Sequence, residues 1–158
     1  MNKKVELIHA EKPLLLVVDP SPVFLGIIKA ALRRAGCEVK SVSFQQTEKA
    51  TFWLSGAMDR EKAEKYPYPT SWDHYPALSN PVLAIINLGF PLDDRERVMD
   101  WLYVHHHTTK IITTSTKEEL LALGDDRDEL YWRLVVSHLS QPITGEAVLE
   151  QVVPVLCS

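Results

Sequence analysis

The feature that most limits how this chain can fold is the run Val82-Leu83-Ala84-Ile85-Ile86, which closes on Asn87-Leu88-Gly89-Phe90-Pro91. An apolar run without polar alternation reads as a strand buried on both faces, and such strands belong to parallel sheets covered by helices. The Gly/Pro turn that follows puts Asn87 at the carboxyl edge of the sheet, where open α/β folds keep their ligand crevice. A second run, Leu14-Leu15-Leu16-Val17-Val18, follows Pro13 and ends at Asp19 in the same way.

Between and after these runs the chain alternates strand and helix patterns. Ser21 caps and Pro22 opens a helix over about 22–34, with Val23, Phe24, Ile27, Ile28, Ala31 and Leu32 at helical spacing and Gly36 as its left-handed stop. Val39, Val42 and Phe44 mark a second strand within 37–44, and a short helix is expected over about 46–54. The third strand is followed by a helix of about 94–105 capped by Asp93 or Asp94, and then by the strand Ile111 to Ser115. Thr116 and Glu119 form a capping box for a helix ending at Gly124. Leu134 to Leu139 gives the fifth strand, and Thr144 caps a last helix carrying Val148, Leu149, Val152 and Val153. The alternation predicts a parallel five-stranded α/β sheet covered on both faces.

Residues 1–12 read as a polar leader and 13–158 as a single domain, interrupted over about 57–81 by a long insertion before strand three. Its stretch Tyr66-Pro67-Tyr68-Pro69-Thr70-Ser71-Trp72-Asp73-His74-Tyr75-Pro76 interleaves prolines with aromatics, which suits neither a helix nor a central strand. Tyr66, Tyr68, Trp72 and Tyr75 are therefore either an interaction surface or a cover folded back over the sheet edge.

A chain of 158 residues that is 46% hydrophobic can bury a full core without metal or disulfide staples. Its net charge of -4 and pI near 5.8 offer no cationic footprint for nucleic acid. No segment has the length or apolarity of a membrane span. Cys37 and Cys157 fit no metal-ligand spacing and read as unpaired thiols of a cytoplasmic protein. His105-His106-His107 reads as a histidine-rich connecting turn, because three consecutive side chains cannot converge on one ion.

The polar corners Asp19, Asn87, Thr114-Ser115 and Gln141-Pro142, each at the end of an apolar strand, resemble in order and spacing the receiver domains of two-component response regulators. The resemblance covers about 14–156 and implies a flavodoxin-like doubly wound sheet and a signalling role. In such domains an acidic pair and an acceptor aspartate hold magnesium, the acceptor attacks a phosphoryl group, and a lysine contacts the phosphate oxygens. Here the acidic pair is reduced to Asp19-Pro20, the acceptor position is Asn87 and the lysine position is Gln141.

These departures define a degenerate pseudo-receiver, with no catalytic residue, metal or cofactor expected. Asn87 is then either a hydrogen-bonding mimic that fixes one conformation or a neutral remnant. Thr114 and His138, which occupies the family's aromatic switch position, form a candidate switch, and a static histidine is the alternative. The resemblance also implies protein partners and a homodimer through strand five and its neighbouring helices. Rival readings are a small-molecule sensor using Asn87, Gln141 and Thr114, a residual phosphoreceiver using Asp93 or Asp94, and a flavodoxin-like enzyme. The last lacks a glycine-rich phosphate loop after the first strand, where Asp19-Pro20-Ser21-Pro22 stands.

Overall fold

The computed structural model describes residues 12–54, 80–123 and 129–157. The leader and the insertion residues Tyr66, Tyr68, Trp72 and Tyr75 lie outside the described residues.

The elements run β1 (Leu14–Val18), α1 (Pro22–Arg34), β2 (Lys40–Phe44), α2 (Thr47–Leu54), β3 (Leu83–Asn87), α3 (Leu92–His105), β4 (Lys110–Ser115), α4 (Lys117–Leu123), a 3-10 turn (Leu130–Leu134), β5 (Val135–Ser140), α5 (Gly145–Gln151) and α6 (Val153–Leu156). All five strands are parallel in the order β2-β1-β3-β4-β5. This is the flavodoxin-like order, with its switch point between β1 and β3.

Strand alternation sorts the core into two layers. Leu15, Val17, Leu83, Ile85 and Ile112 pack under α1 and α5 with Phe24, Ile28, Leu32 and Val148. Leu16, Val18, Ala84, Ile86 and Ile111 face the other way, against Ala50 and Leu54 of α2 and Val98, Met99 and Leu102 of α3. Both β1 and β3 thus feed two cores, and β1 carries no polar residue and β3 only Asn87 at its last position.

The local signals work as the sequence predicts at most ends. Ser21 Oγ accepts from the Val23 amide, Gly36 takes φ 71°, and Thr116 and Glu119 bond reciprocally at 2.8 and 3.1 Å. Three expectations need correction. The helix after Asn87 begins at Leu92 with Pro91 at its cap position and no side-chain cap, so Asp93 and Asp94 lie in its first turn instead. There they still favour the positive helix end. The last helix is broken at Val152 into α5 and α6, with Pro154 in the first turn of α6.

The third correction is chemical. Cys37 and Cys157 are not free thiols; they form a disulfide across a sequence separation of 120, with Cα atoms 5.9 Å apart. The inference of a reducing compartment loses its premise with that pairing. Closing a loop of this length removes about 5 kcal/mol of unfolded-state chain entropy.

The histidine-rich turn divides as its geometry demands: His105 and His107 are exposed, while His106 is buried with Nδ1 2.7 Å from Asn80 Oδ1. Burial lowers the His106 pKa from 6.5, and the Leu54 carbonyl opposes the shift in part. The unfolded chain then takes up a proton near pH 6.5 that the folded chain accepts only at lower pH. Stability from this group is present above that window and is lost as pH falls through it. The urea midpoint of the wild type is expected to drop more on acidification than that of His106→Gln, and equal drops would contradict the assignment.

Candidate functional site

Asp19 and Asn87 meet across the switch point at the carboxyl edge. Asn87 Nδ2 donates to Asp19 Oδ2 at 2.9 Å, the Ser21 amide donates to Asp19 Oδ1 at 2.8 Å, and the Gly89 amide donates to Asn87 Oδ1 at 2.6 Å. Both residues are 6% exposed. The Gly89 amide can only donate, so it fixes the oxygen of Asn87 toward the turn and turns the nitrogen to Asp19. Every polar atom of this pair therefore has a partner, and the one negative charge is balanced by N–H groups.

The turn is held from both sides. Leu88 donates its amide to the Thr114 carbonyl at 2.8 Å, and Arg95 Nη1 donates to the Leu88 carbonyl at 2.7 Å. A Cβ at position 89 would stand 2.5 Å from Glu119 Oε2 and 2.9 Å from Asn87 Oδ1, so a side chain there would push the capping-box glutamate and the Asn87 amide aside. Gln141 is partly buried at the fourth corner, joined to the site through its own amide on the Ser115 carbonyl at 2.8 Å, and its bond to Pro142 is cis. Pro20 is exposed beside Asp19.

Thr114 and His138 do not form a pair. His138 is in register with Thr113, and its ring nitrogens lie 2.7 Å from Thr113 Oγ1 and 3.0 Å from Ser115 Oγ. Thr114, one residue on, points to the opposite sheet face. Its hydroxyl is fully buried and meets no hydrogen-bond partner among the described residues. An isosteric Thr114→Val replacement is expected to raise stability by about 1 kcal/mol, because it removes an unsatisfied buried hydroxyl. A loss of stability in urea unfolding would show that the hydroxyl is bonded.

The residues present do not fit a magnesium site. Hard cations need several open oxygen ligands, and here Asp19 is the only carboxylate of the pair, with both oxygens already taken. Asn87 turns a nitrogen, not an oxygen, toward it. Beside the corner lies a surface pocket of about 270 Å³ lined by Asp19, Ser21, Phe24, Ile27, Gln141 and Ile143.

A larger cleft of about 510 Å³ lies on the α3–α4 side, with Leu88, Arg95, Glu119, Tyr131 and Trp132 in its wall. Sequence reasoning missed it. α4 lines one side of it with Glu119 and Leu123 and buries none of its residues. In its wall Tyr131 donates to Glu96 at 2.8 Å, and burial first, then Glu96, pushes the phenol well above its ordinary value.

The strand order and helix cover give the chain a CheY-like, flavodoxin-like fold. No family model and no curated protein matches the sequence. Solved structures match it in fold. A CheY-like response-regulator receiver domain from Methanospirillum hungatei JF-1 superposes with a TM-score of 0.59 at 14% identity, over 92% of this chain and 95% of that one. The bacteriophytochrome response regulator AtBRR gives 0.60 at 15% identity over 92% and 93%. A structure described as an adenylate cyclase from Rhodopirellula baltica gives 0.60 at 9% identity over 92% and 87%. Likeness at these identities carries the fold and no activity. Among the described residues no helix is long and apolar enough to cross a membrane.

Proposed function

We propose that this chain is a receiver-like signalling domain that works without phosphoryl transfer or any other catalysis, through contacts with partner proteins. The observation that carries the reading is the Asn87 amide, hydrogen-bonded at once to Asp19 and to the Gly89 amide in the place of a phosphoacceptor. Its neutral oxygen is a poor nucleophile, and Gln141 brings no charge to balance a phosphate. The network also supports the mimic reading of Asn87 over the neutral remnant, since it fixes the turn between β3 and α3 in one arrangement. Surface shape, set by sequence, is then the signal.

Exposed apolar side chains beside β5 offer a place for contact. Leu121 is 70% and Val136 49% exposed, and a homodimer formed there is part of this proposal. Sedimentation should then show a dimer that Val136→Glu converts to a monomer; a wild-type monomer at high concentration would remove the dimer from the account. For the site itself, beryllofluoride with magnesium should leave the amide NMR spectrum unchanged. Wide shifts around Asp19, Asn87 and Thr114 would overturn the phosphorylation-independent reading.

A second reading is supported by the pocket at Asp19 and Gln141, whose apolar walls and few polar groups suit a small neutral ligand. Thermal-shift screening with metabolites separates the two: stabilisation abolished by Gln141→Leu favours a sensor, and a flat screen favours the interaction module.

A further inference from the structure

The Cys37–Cys157 disulfide joins the loop after α1 to the residue that follows α6. Its two sulfurs sit differently: Cys37 is buried, at 6% exposed, whereas Cys157 is on the surface. Cys37 also lines a surface pocket of about 340 Å³ with Lys12, Lys29, Arg33 and Glu38. Among the described residues Glu38 is the one acid of that wall, and it pairs with Lys12 at 3.9 Å. The surroundings of Cys37 are thus net cationic, a setting that favours a thiolate.

We propose that this bond is a thiol-exchange site for a dithiol reductant, and that opening it releases the C-terminal helix from the core. The reductant's thiolate attacks the exposed Cys157 Sγ, the S–S bond breaks, and Cys37 Sγ leaves with the electron pair. The cations beside Cys37 make it the better leaving group. The second thiolate of the reductant then attacks the mixed disulfide at its own sulfur, expels Cys157 as a thiolate and closes the reductant into a disulfide. Two electrons pass from dithiol to protein, and the reductant's two protons go to the cysteine thiolates or to solvent.

Release follows from the shortness of the last turn. α6 has four residues, too few to stand as a helix alone. Its Leu156 and the preceding Val152 are buried in the layer under α1, next to Cys37. Without the covalent clip this segment belongs to the part of a fold that opens first.

The test uses the whole chain purified without reductant. In native buffer the oxidised protein should take up no iodoacetamide. After dithiothreitol it should take up two alkyl groups, and amide exchange over 153–157 should rise by about tenfold or more while β1 and β3 change little. The double variant Lys29→Gln, Arg33→Gln should slow the opening by roughly threefold. Alkylation before reduction would overturn the proposal, because no bond would then exist. So would a bond that resists dithiothreitol until denaturant is added, an opened chain with unchanged exchange, or an opening rate indifferent to the two cations.

Discussion

Asn87→Asp is expected to destabilise the folded chain by about 2–4 kcal/mol at neutral pH. The change is isosteric, so packing is untouched and the effect is electrostatic. It replaces the N–H that Asn87 donates to Asp19 at 2.9 Å with a second carboxylate, at a place where both residues are 6% exposed. Two carboxylates at that distance cannot both ionise cheaply, so the pair holds a proton in the folded state that the unfolded chain has already released. Folded-state affinity for the proton is raised. The pair's contribution to the variant's stability is therefore greatest below the usual carboxylate range and is lost as pH rises through the pair's folded titration.

The same variant regains oxygen ligands that suit a hard cation. Millimolar magnesium should thus recover part of its lost stability and leave the wild type unaffected. At neutral pH the melting temperature should fall by roughly 5–15 °C before magnesium is added. An Asn87→Asp protein as stable as the wild type, with no response to pH or magnesium, would show that the Asp19–Asn87 bond contributes nothing.

Ile85→Ala should cost about 3–4 kcal/mol. Ile85 is fully buried on β3, pairs with Val17 on one side and Ile112 on the other, and reaches the layer under α1 and α5. Rigid strands flank it, so the space left by three carbon atoms cannot collapse. Ile86→Ala opens a hole of the same size in the other layer, and its cost should be similar. Val136→Ala on the exposed part of β5 should change stability by less than about 0.5 kcal/mol. Urea midpoints for the three variants distinguish a two-layer core from a single one.

How far the sequence spoke depends on the range over which each signal acts. β1 and β3 were legible because burial on both faces demands an unbroken apolar run, and α1 because Ser21, Pro22 and Gly36 each act within a turn of the chain. The corners Asp19, Asn87, Ser115 and Gln141 were legible as an order. Their contacts were not: the face on which a side chain lies depends on register, and one residue's difference moved the partner of His138 from Thr114 to Thr113 and Ser115.

Longer-range facts were hidden altogether. Nothing local links Cys37 to a cysteine 120 residues away, and only the packing of α6 beside the end of α1 brings them within bonding reach. The leucines of α4 carry a helical pattern, yet none is buried, because periodicity reports amphipathicity and not whether a neighbour arrives to cover it. His106, one of three consecutive histidines in a connecting turn, is a buried residue tied to Asn80.

The proposed function requires that Asn87 take no part in phosphoryl chemistry. Incubation of the full chain with acetyl phosphate and magnesium, followed by intact mass spectrometry, measures this directly. The account predicts a single unmodified mass at every donor concentration; a stoichiometric phosphoryl adduct would contradict it, whichever residue carries the group.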